Sequence, residues 1–414
     1  MTYELRDYQK EMSAMGIKNL KSYRKPFILM AATGAGKSLV IADICHKLNK
    51  PVLVLQPSKE LLEQNYEKLK SYGVNDVSIY SASMNSKEIG KFTYATIGSI
   101  YKKPDLFKHF KYVIIDEAHL VDPKNIKGMY SKFLKAIDCN NICGLTATPY
   151  RLQSKFFRDQ GTLVYTSSLK MINRIHPFFF KKIAFKIETS ELIDKGYLAP
   201  IQYFTEDVDL SKLKINSTGA DYTPESMEAH WGDGKLRKLA KVIRHIDKEH
   251  NRNLVFCSSI RQANRAKQLL DSFDIDSAVI TGKTPKRERE ELVQSFRDGK
   301  LRHLINVGVF TVGFDVAELD CITLARPTMS LALYYQMIGR GVRIDPNNPN
   351  KVLKVYDLAG CVERLGRVET IKIVKEDNGF KDMIISEIGQ MTDKPLFTFR
   401  VKSNKFKFTR KDIR

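Results

Sequence analysis

The sequence predicts an α/β fold of two tandem domains, each a parallel sheet covered by helices, with an inserted segment between them and a C-terminal β-hairpin extension. Two observations carry this expectation. Short, almost uninterrupted apolar runs alternate with helix-forming stretches, and the alternation occurs twice, on either side of a segment of different composition. In addition, 414 residues are many for a single hydrophobic core.

In the first half the apolar runs are Phe27–Ala31, Val52–Leu55, Val77–Tyr80, Tyr112–Ile115 and Ile142–Leu145. Strands that are apolar on both faces of the pleat belong between two layers of helices, which is the setting of a parallel sheet. The second half repeats the pattern at Leu254–Phe256, Ala278–Ile280, Leu304–Ile305, Cys321–Leu324 and Val352–Tyr356. Between the first two of these, Ala263, Ala266, Leu270 and Phe273 recur at helical spacing and mark the buried stripe of a covering helix.

These signals divide the chain into a first domain over 1–150, an insertion and linker over 151–234, a second domain over 235–360 and a basic extension over 361–414. In the extension, Phe397–Val401 and Lys405–Arg410 each alternate with period two around a Ser-Asn turn, which predicts a terminal hairpin. Phe397, Phe399, Phe406 and Phe408 are expected to face inward, with Lys405, Lys407, Arg410 and Lys411 outward. Within the insertion, Phe178-Phe-Phe180 beside Lys181 and Lys182 reads as an aromatic seal onto the first domain before it reads as a stacking platform.

Lys and Arg number 68 against 47 Asp and Glu, a net charge of +21. Such an excess favours a polyanionic partner, above all nucleic acid, because phosphate contacts release condensed counterions. A basic surface with no partner is the blander alternative. The 43% hydrophobic content excludes wholesale disorder. Six cysteines without a Cys-x-x-Cys pair exclude a zinc ribbon and fit a reducing cytoplasm. No membrane span is expected, since no run of about 18 apolar residues occurs, and the opening residues lack the apolar stretch of a secretion signal.

The strongest chemical signal is Ala31-Ala-Thr33-Gly34-Ala35-Gly36-Lys37-Ser38, which follows an apolar strand and opens a helix. Glycines let backbone N–H groups turn inward around phosphate oxygens. Lys37 can bridge the β and γ phosphates, and Ser38 can ligate Mg²⁺. Ala31 stands where the general pattern has its first glycine. Asp116 and Glu117 directly follow the strand Tyr112–Ile115, so they emerge at its carboxyl end, where open α/β sheets bind ligands. Asp116 can hold Mg²⁺, while Glu117 can orient and deprotonate a water for in-line attack on the γ-phosphate. Further on, Gln336, Arg340 and Arg343 fall on one face if the segment is helical, and two arginines there could neutralise charge on a transferring phosphoryl group. Gly339 and Gly341 each cost a helix interior about 1 kcal/mol relative to alanine, which points to close backbone approach.

Taken together and in this order, these segments resemble the superfamily 2 helicases over nearly all of residues 4–345. The resemblance implies two RecA-like domains with ATP and Mg²⁺ bound in the cleft between them. Leu5-Arg6-Asp7-Tyr8-Gln9 resembles the family's adenine-reading element, with Arg6 and Gln9 on the base. The phosphate loop from Ala32 through Thr33, Gly34, Ala35, Gly36 and Lys37 to Ser38 resembles motif I, and Asp116–His119 resembles motif II in its DEAH form. Gln56–Leu61, with Pro57 and Lys59, and Thr96–Ser99 resemble the strand-gripping motifs Ia and Ib. Thr146-Ala-Thr148 resembles motif III, which with His119 would couple hydrolysis to the grip on the strand. Phe256–Ser259 resembles motif IV, placing Ser259 on the strand, and Gly308–Asp315 resembles motif V, with Thr311 on the strand and Asp315 toward the nucleotide. Gln336–Arg343 resembles motif VI, with Gln336 sensing closure.

The Leu-Arg-x-Tyr-Gln opening, the DEAH box and Ile193–Leu198 further resemble the RadD, XPB and UvsW group, which includes phage enzymes acting on branched DNA. What the resemblance implies is a monomeric, ATP-dependent helicase or translocase on DNA, single-stranded or branched. An RNA helicase and an ATP-gated DNA clamp that remodels without separating strands are the competing readings, since a backbone grip does not reveal the sugar.

Overall fold

The computed structural model describes residues 4–160, 162–249, 252–309, 316–375 and 382–401. Two parallel sheets organise them into two lobes. The first has eight strands in the order 183–187, 27–31, 142–146, 112–116, 52–56, 92–96, 77–81 and 86–87, all parallel except for the short last strand. The second has six parallel strands in the order 201–205, 353–357, 321–325, 253–257, 303–307 and 277–281. The central strands Phe27–Ala31, Val52–Gln56, Asn253–Cys257 and Cys321–Ala325 are buried along their whole length, which is why they read as continuous apolar runs.

Helices then bring chemistry to the strand ends. Helix Lys37–Leu48 starts at Gly36, directly after the loop that leaves strand Phe27–Ala31. Helix Asp7–Ser22 packs on it, and Ser13 donates a hydrogen bond to the buried Asp43. Helix Ile260–Asp271 buries Ala263, Ala266 and Leu270 as its spacing predicts. Its first turn is capped by the Ser259 hydroxyl, which accepts from the Gln262 amide at 3.1 Å.

The segment 151–234 is more than an insertion and linker. It completes both sheets: Ile183–Ile187 adds beside Phe27–Ala31, and Ile201–Thr205 adds beside Leu353–Asp357. Both are edge strands, and their half-exposed faces gave the sequence no continuous apolar run. Before them, Tyr150–Asp159 and Thr162–Met171 form a long antiparallel hairpin, with Phe156 and Phe157 exposed near its tip. Of the three adjacent phenylalanines, Phe180 is fully buried in the first lobe, whereas Phe178 is 52% exposed. Of the expected terminal hairpin, the described residues include the first strand, Phe397–Val401. One edge of Phe397–Val401 pairs antiparallel with Thr162–Met171 of the long hairpin, and Phe397 packs inward. Lys405 and the residues after it lie outside the described residues.

In the second lobe, His303 is fully buried, with Nε2 2.9 Å from Asp247 Oδ1. Burial lowers its pKa, and the opposing pull of Asp247 is weaker. A histidine depressed in the folded state leaves the unfolded chain binding more protons below about pH 6.5, so its stabilisation is full above that value and is lost as pH falls toward the folded pKa. The urea midpoint is therefore expected to fall between pH 7.5 and pH 5.5, and His303→Gln to reduce that fall. An unchanged pH dependence in the variant would assign the effect elsewhere.

Candidate active site between the two lobes

The phosphate loop is shaped by its glycines. Gly34 and Gly36 have φ of +85° and +74°, the left-handed region that a side chain at these positions would strain. Lys37 Nζ lies 3.4 Å from the Ala31 carbonyl oxygen and 3.5 Å from that of Ala32, so its ammonium sits inside the loop's curve. The loop is braced from outside by helix Asp7–Ser22: the Tyr8 hydroxyl and the Gln9 amide Nε2 both donate to the Ala35 carbonyl at 2.9 Å. The Gln9 Oε1 accepts from the Arg6 backbone amide, also at 2.9 Å. Gln9 is thus a buried brace of the loop, a role the sequence did not distinguish from base contact.

Asp116 and Glu117 stand beside this loop at the end of strand Tyr112–Asp116. Asn65 donates to Asp116 Oδ2 at 2.9 Å, and the Glu117 amide donates to Asp116 Oδ1 at 3.0 Å. Burial and the adjacent Glu117 carboxylate push Asp116 above the usual carboxyl range, against the pull of Lys37. Burial also acts to raise Glu117, but its bond to His119 and the positive charges of Lys37 and Arg340 together outweigh that and hold it low. A hydroxyl at Ser38 and a carboxylate at Asp116 are hard oxygen donors that suit Mg²⁺. Among the described residues no cluster of three or more His, Cys, Asp or Glu could cage a metal. A cation here would complete its shell with phosphate oxygens and water, as Mg²⁺ commonly does.

His119 links motifs II and III: its Nδ1 is 3.2 Å from Glu117 Oε2 and 2.9 Å from Thr146 Oγ1. Thr146 Oγ1 also accepts from the Thr148 amide at 3.0 Å. Arg151 closes the group from the hairpin side, donating to the His119 carbonyl at 3.3 Å and pairing with Asp122 at 3.4 Å.

The second lobe supplies the arginines, though not from a continuous helix. Helix Leu331–Ile338 carries Gln336 and stops at Gly339, so Arg340 and Arg343 lie on the turn and short bridge that follow. Gly339 also makes a close contact across the cleft. A Cβ on Gly339 would sit 2.4 Å from Thr33 Cβ in the phosphate loop. Arg340 is buried and close enough to Glu117 for its charge to act on that carboxylate. Arg343 forms a bridge with Leu198, and its Cγ lies 3.6 Å from where a Cβ on Gly34 would be. Gly339→Ala is expected to force the lobes apart, costing about 1–3 kcal/mol of packing and lowering both the melting temperature and ATP turnover. Unchanged turnover in that variant would mean the observed apposition is dispensable.

The strand-gripping candidates lie on loops at the strand ends. Thr96 and Ser99 share a hydroxyl contact of 2.8 Å, Ser99 also accepts from the Ala82 amide at 2.9 Å, and Lys59 pairs with Glu63 at 3.5 Å. Pro57 lines a groove with Ile97, Leu120 and Met129. Ser259 spends its hydroxyl on the helix cap. Thr311 and Asp315 lie outside the described residues. Asn65, Arg151 and Tyr197 are site residues that the sequence reading missed. Arg151, three residues after the motif III segment, and Tyr197, inside the Ile193–Leu198 segment, had a positional signal, and Asn65 had none.

Known proteins match this arrangement. The family described as "Type III restriction enzyme, res subunit" matches residues 2–151, and that described as "Helicase conserved C-terminal domain" matches residues 234–345. The chain belongs to the superfamily 2 helicases. Among relatives of this superfamily 2 chain, the "51.5 kDa protein" of Lactococcus phage (isolate 7-9) is 27% identical over 323 residues, 76% of this chain and 62% of that protein. The chain thus spans less than two thirds of that relative's length. "DNA 3'-5' translocase XPB2" of Sulfurisphaera tokodaii is 26% identical over 363 residues, covering 82% of this chain and 79% of that one. In structure, the chain resembles the "ATP-dependent Type ISP restriction-modification enzyme LlaBIII bound to DNA", with a TM-score of 0.64 at 16% identity, over 86% of this chain and 28% of that one. That likeness supports the tandem RecA-like fold. Among the described residues, no helix is long and apolar enough to cross a membrane.

Proposed function

We propose that this superfamily 2 chain is an ATP-dependent DNA helicase or translocase that works as a monomer in a reducing cytoplasm. The observation that carries the reading is the convergence of Lys37, Asp116 and Glu117 from one lobe with Arg340 and Arg343 from the other. In this reading Lys37 neutralises the β and γ phosphates, and Ser38 and Asp116 would hold Mg²⁺, which when bound would supply further positive charge to the phosphate oxygens. Glu117 accepts the proton of the attacking water. The water oxygen bonds to the γ-phosphorus as the bond to the β–γ bridging oxygen breaks, releasing ADP and phosphate. Arg340 and Arg343 neutralise charge in that step, so turnover requires the lobes to be together.

Movement along a strand would follow from opening and closing, with Pro57, Lys59, Thr96, Ser99, Ser259 and Thr311 near the backbone. His119, Thr146 and Thr148 would tie that grip to Glu117. DNA is favoured over RNA by the relative named as a DNA translocase, and the net charge of +21 supports a polyanionic track. The exposed Phe156 and Phe157, with Lys155 and Arg158 on the same hairpin strand, are the residue types that hold single strands. Forked or branched DNA is the preferred substrate on this reading, which rests on the DEAH box and the Ile193–Leu198 segment.

The test is ATP-dependent release of a labelled strand from forked DNA and from an RNA fork of the same sequence, with Lys37→Ala as control. DNA release that needs Lys37 is the expected result. Binding of DNA with neither strand release nor displacement of a third strand from a triplex would exclude a motor and leave the clamp.

A further inference from the structure

Within the linker between the lobes, Tyr197 packs against the helix that braces the phosphate loop. The Arg6 guanidinium carbon lies 4.6 Å from the centroid of the Tyr197 ring, and Arg6 Nη1 donates to the Tyr197 carbonyl at 3.2 Å. Ring and carbonyl of one residue therefore hold the same guanidinium. The Tyr8 ring, whose hydroxyl braces the phosphate loop, packs against Tyr197 with centroids 5.4 Å apart. The next two residues are fixed on both sides: Leu198 lies against Gly34 of the phosphate loop and bridges Arg343, and the Ala199 amide donates to the Val342 carbonyl at 2.7 Å. Both Leu198 and Ala199 are 1% exposed. Tyr197 thus stands on a strap anchored to the phosphate loop and to the arginine segment, and its aromatic face is spent on Arg6.

We propose that Tyr197 is a positioning residue for nucleobase recognition: it holds the Arg6 guanidinium as the planar donor that reads the purine of the bound nucleotide. An arginine side chain has many rotamers, and only one that is held in place reads a base edge at low entropic cost. The ring supplies cation–π attraction and the carbonyl supplies direction. A surface arginine without this backing would add charge to the site but little preference among bases. The inference rests on the nucleotide reading above and deepens it, since base selection then depends on the linker as well as on the first lobe.

The experiment compares equilibrium binding of ATP and of inorganic tripolyphosphate, which shares the phosphates and lacks the base, to the full chain. Tyr197→Ala and the bulk-retaining Tyr197→Leu are expected to weaken ATP about fivefold, the scale of one partly desolvated cation–π contact, and to leave tripolyphosphate unchanged. Tyr197→Phe keeps the ring and is expected to restore ATP affinity. In an Arg6→Ala background the Tyr197 changes should have no further effect, because the two residues act as one unit. Equal weakening of ATP and tripolyphosphate, an undiminished Tyr197 effect without Arg6, or wild-type ATP affinity in both Tyr197→Ala and Tyr197→Leu would each overturn the inference while leaving the nucleotide site intact. A wild-type chain that binds neither ligand would overturn the nucleotide reading itself, and this inference with it.

Discussion

Glu117→Gln is expected to cut ATP turnover by about 10²–10⁴-fold, the usual worth of a positioned general base, while ATP binding stays close to wild type. The geometry gives the reason for the split. Glu117 stands beside Lys37 and Asp116 but is fixed by His119, with Oε2 3.2 Å from Nδ1, so an amide of the same shape can keep the contact and lose only the proton acceptor. Steady-state phosphate release and equilibrium nucleotide binding measure the two quantities separately. Parallel loss of both would mean that Glu117 supports the site's structure.

Arg340→Ala is expected to lower turnover by about a thousandfold, within the range for an arginine that neutralises the transferring phosphoryl group. Burial lowers the Arg340 pKa to about 10, which still leaves it charged at neutral pH. It approaches Glu117 from the other lobe, so its loss should reduce turnover far more than ATP affinity, which the first lobe largely supplies. Arg340→Lys should rescue little, because a point charge cannot reproduce a planar fork. Single-turnover hydrolysis at saturating ATP is the decisive comparison, and a variant that hydrolyses at the wild-type rate would remove Arg340 from the mechanism.

How much of this was legible in the sequence differs from residue to residue. The central strands were readable because each is apolar on both faces, and Phe27–Ala31 was bounded to the residue. The phosphate loop and the Asp116–Glu117 pair were readable because their chemistry is local, a turn or a strand end with its side chains attached. Ile183–Ile187 and Ile201–Thr205 were not, since an edge strand with one open face carries too weak a pattern, and only its pairing shows which sheet it joins. The strand Phe397–Val401 was readable as extended, but its pairing with Thr162–Met171 was not, because alternation specifies a face and not a neighbour. The same limit applied to motif VI: the glycine cost was visible, but not that the helix ends at Ile338 with Arg340 on the turn and Gly339 close against Thr33 across the cleft. Asn65 and Tyr197 act through partners 51 and 191 residues away in sequence, and although Tyr197 lies in the marked Ile193–Leu198 segment, no local pattern names those partners.

The central claim, that closure of two lobes on ATP drives work on nucleic acid, is tested most directly by ATP hydrolysis of the pure chain at fixed moderate salt. It should be measured alone and with single-stranded DNA, forked DNA or RNA of matching sequence, alongside Glu117→Gln. The account predicts strong stimulation by DNA, greatest with the fork and absent in the variant. Hydrolysis indifferent to every nucleic acid would contradict it.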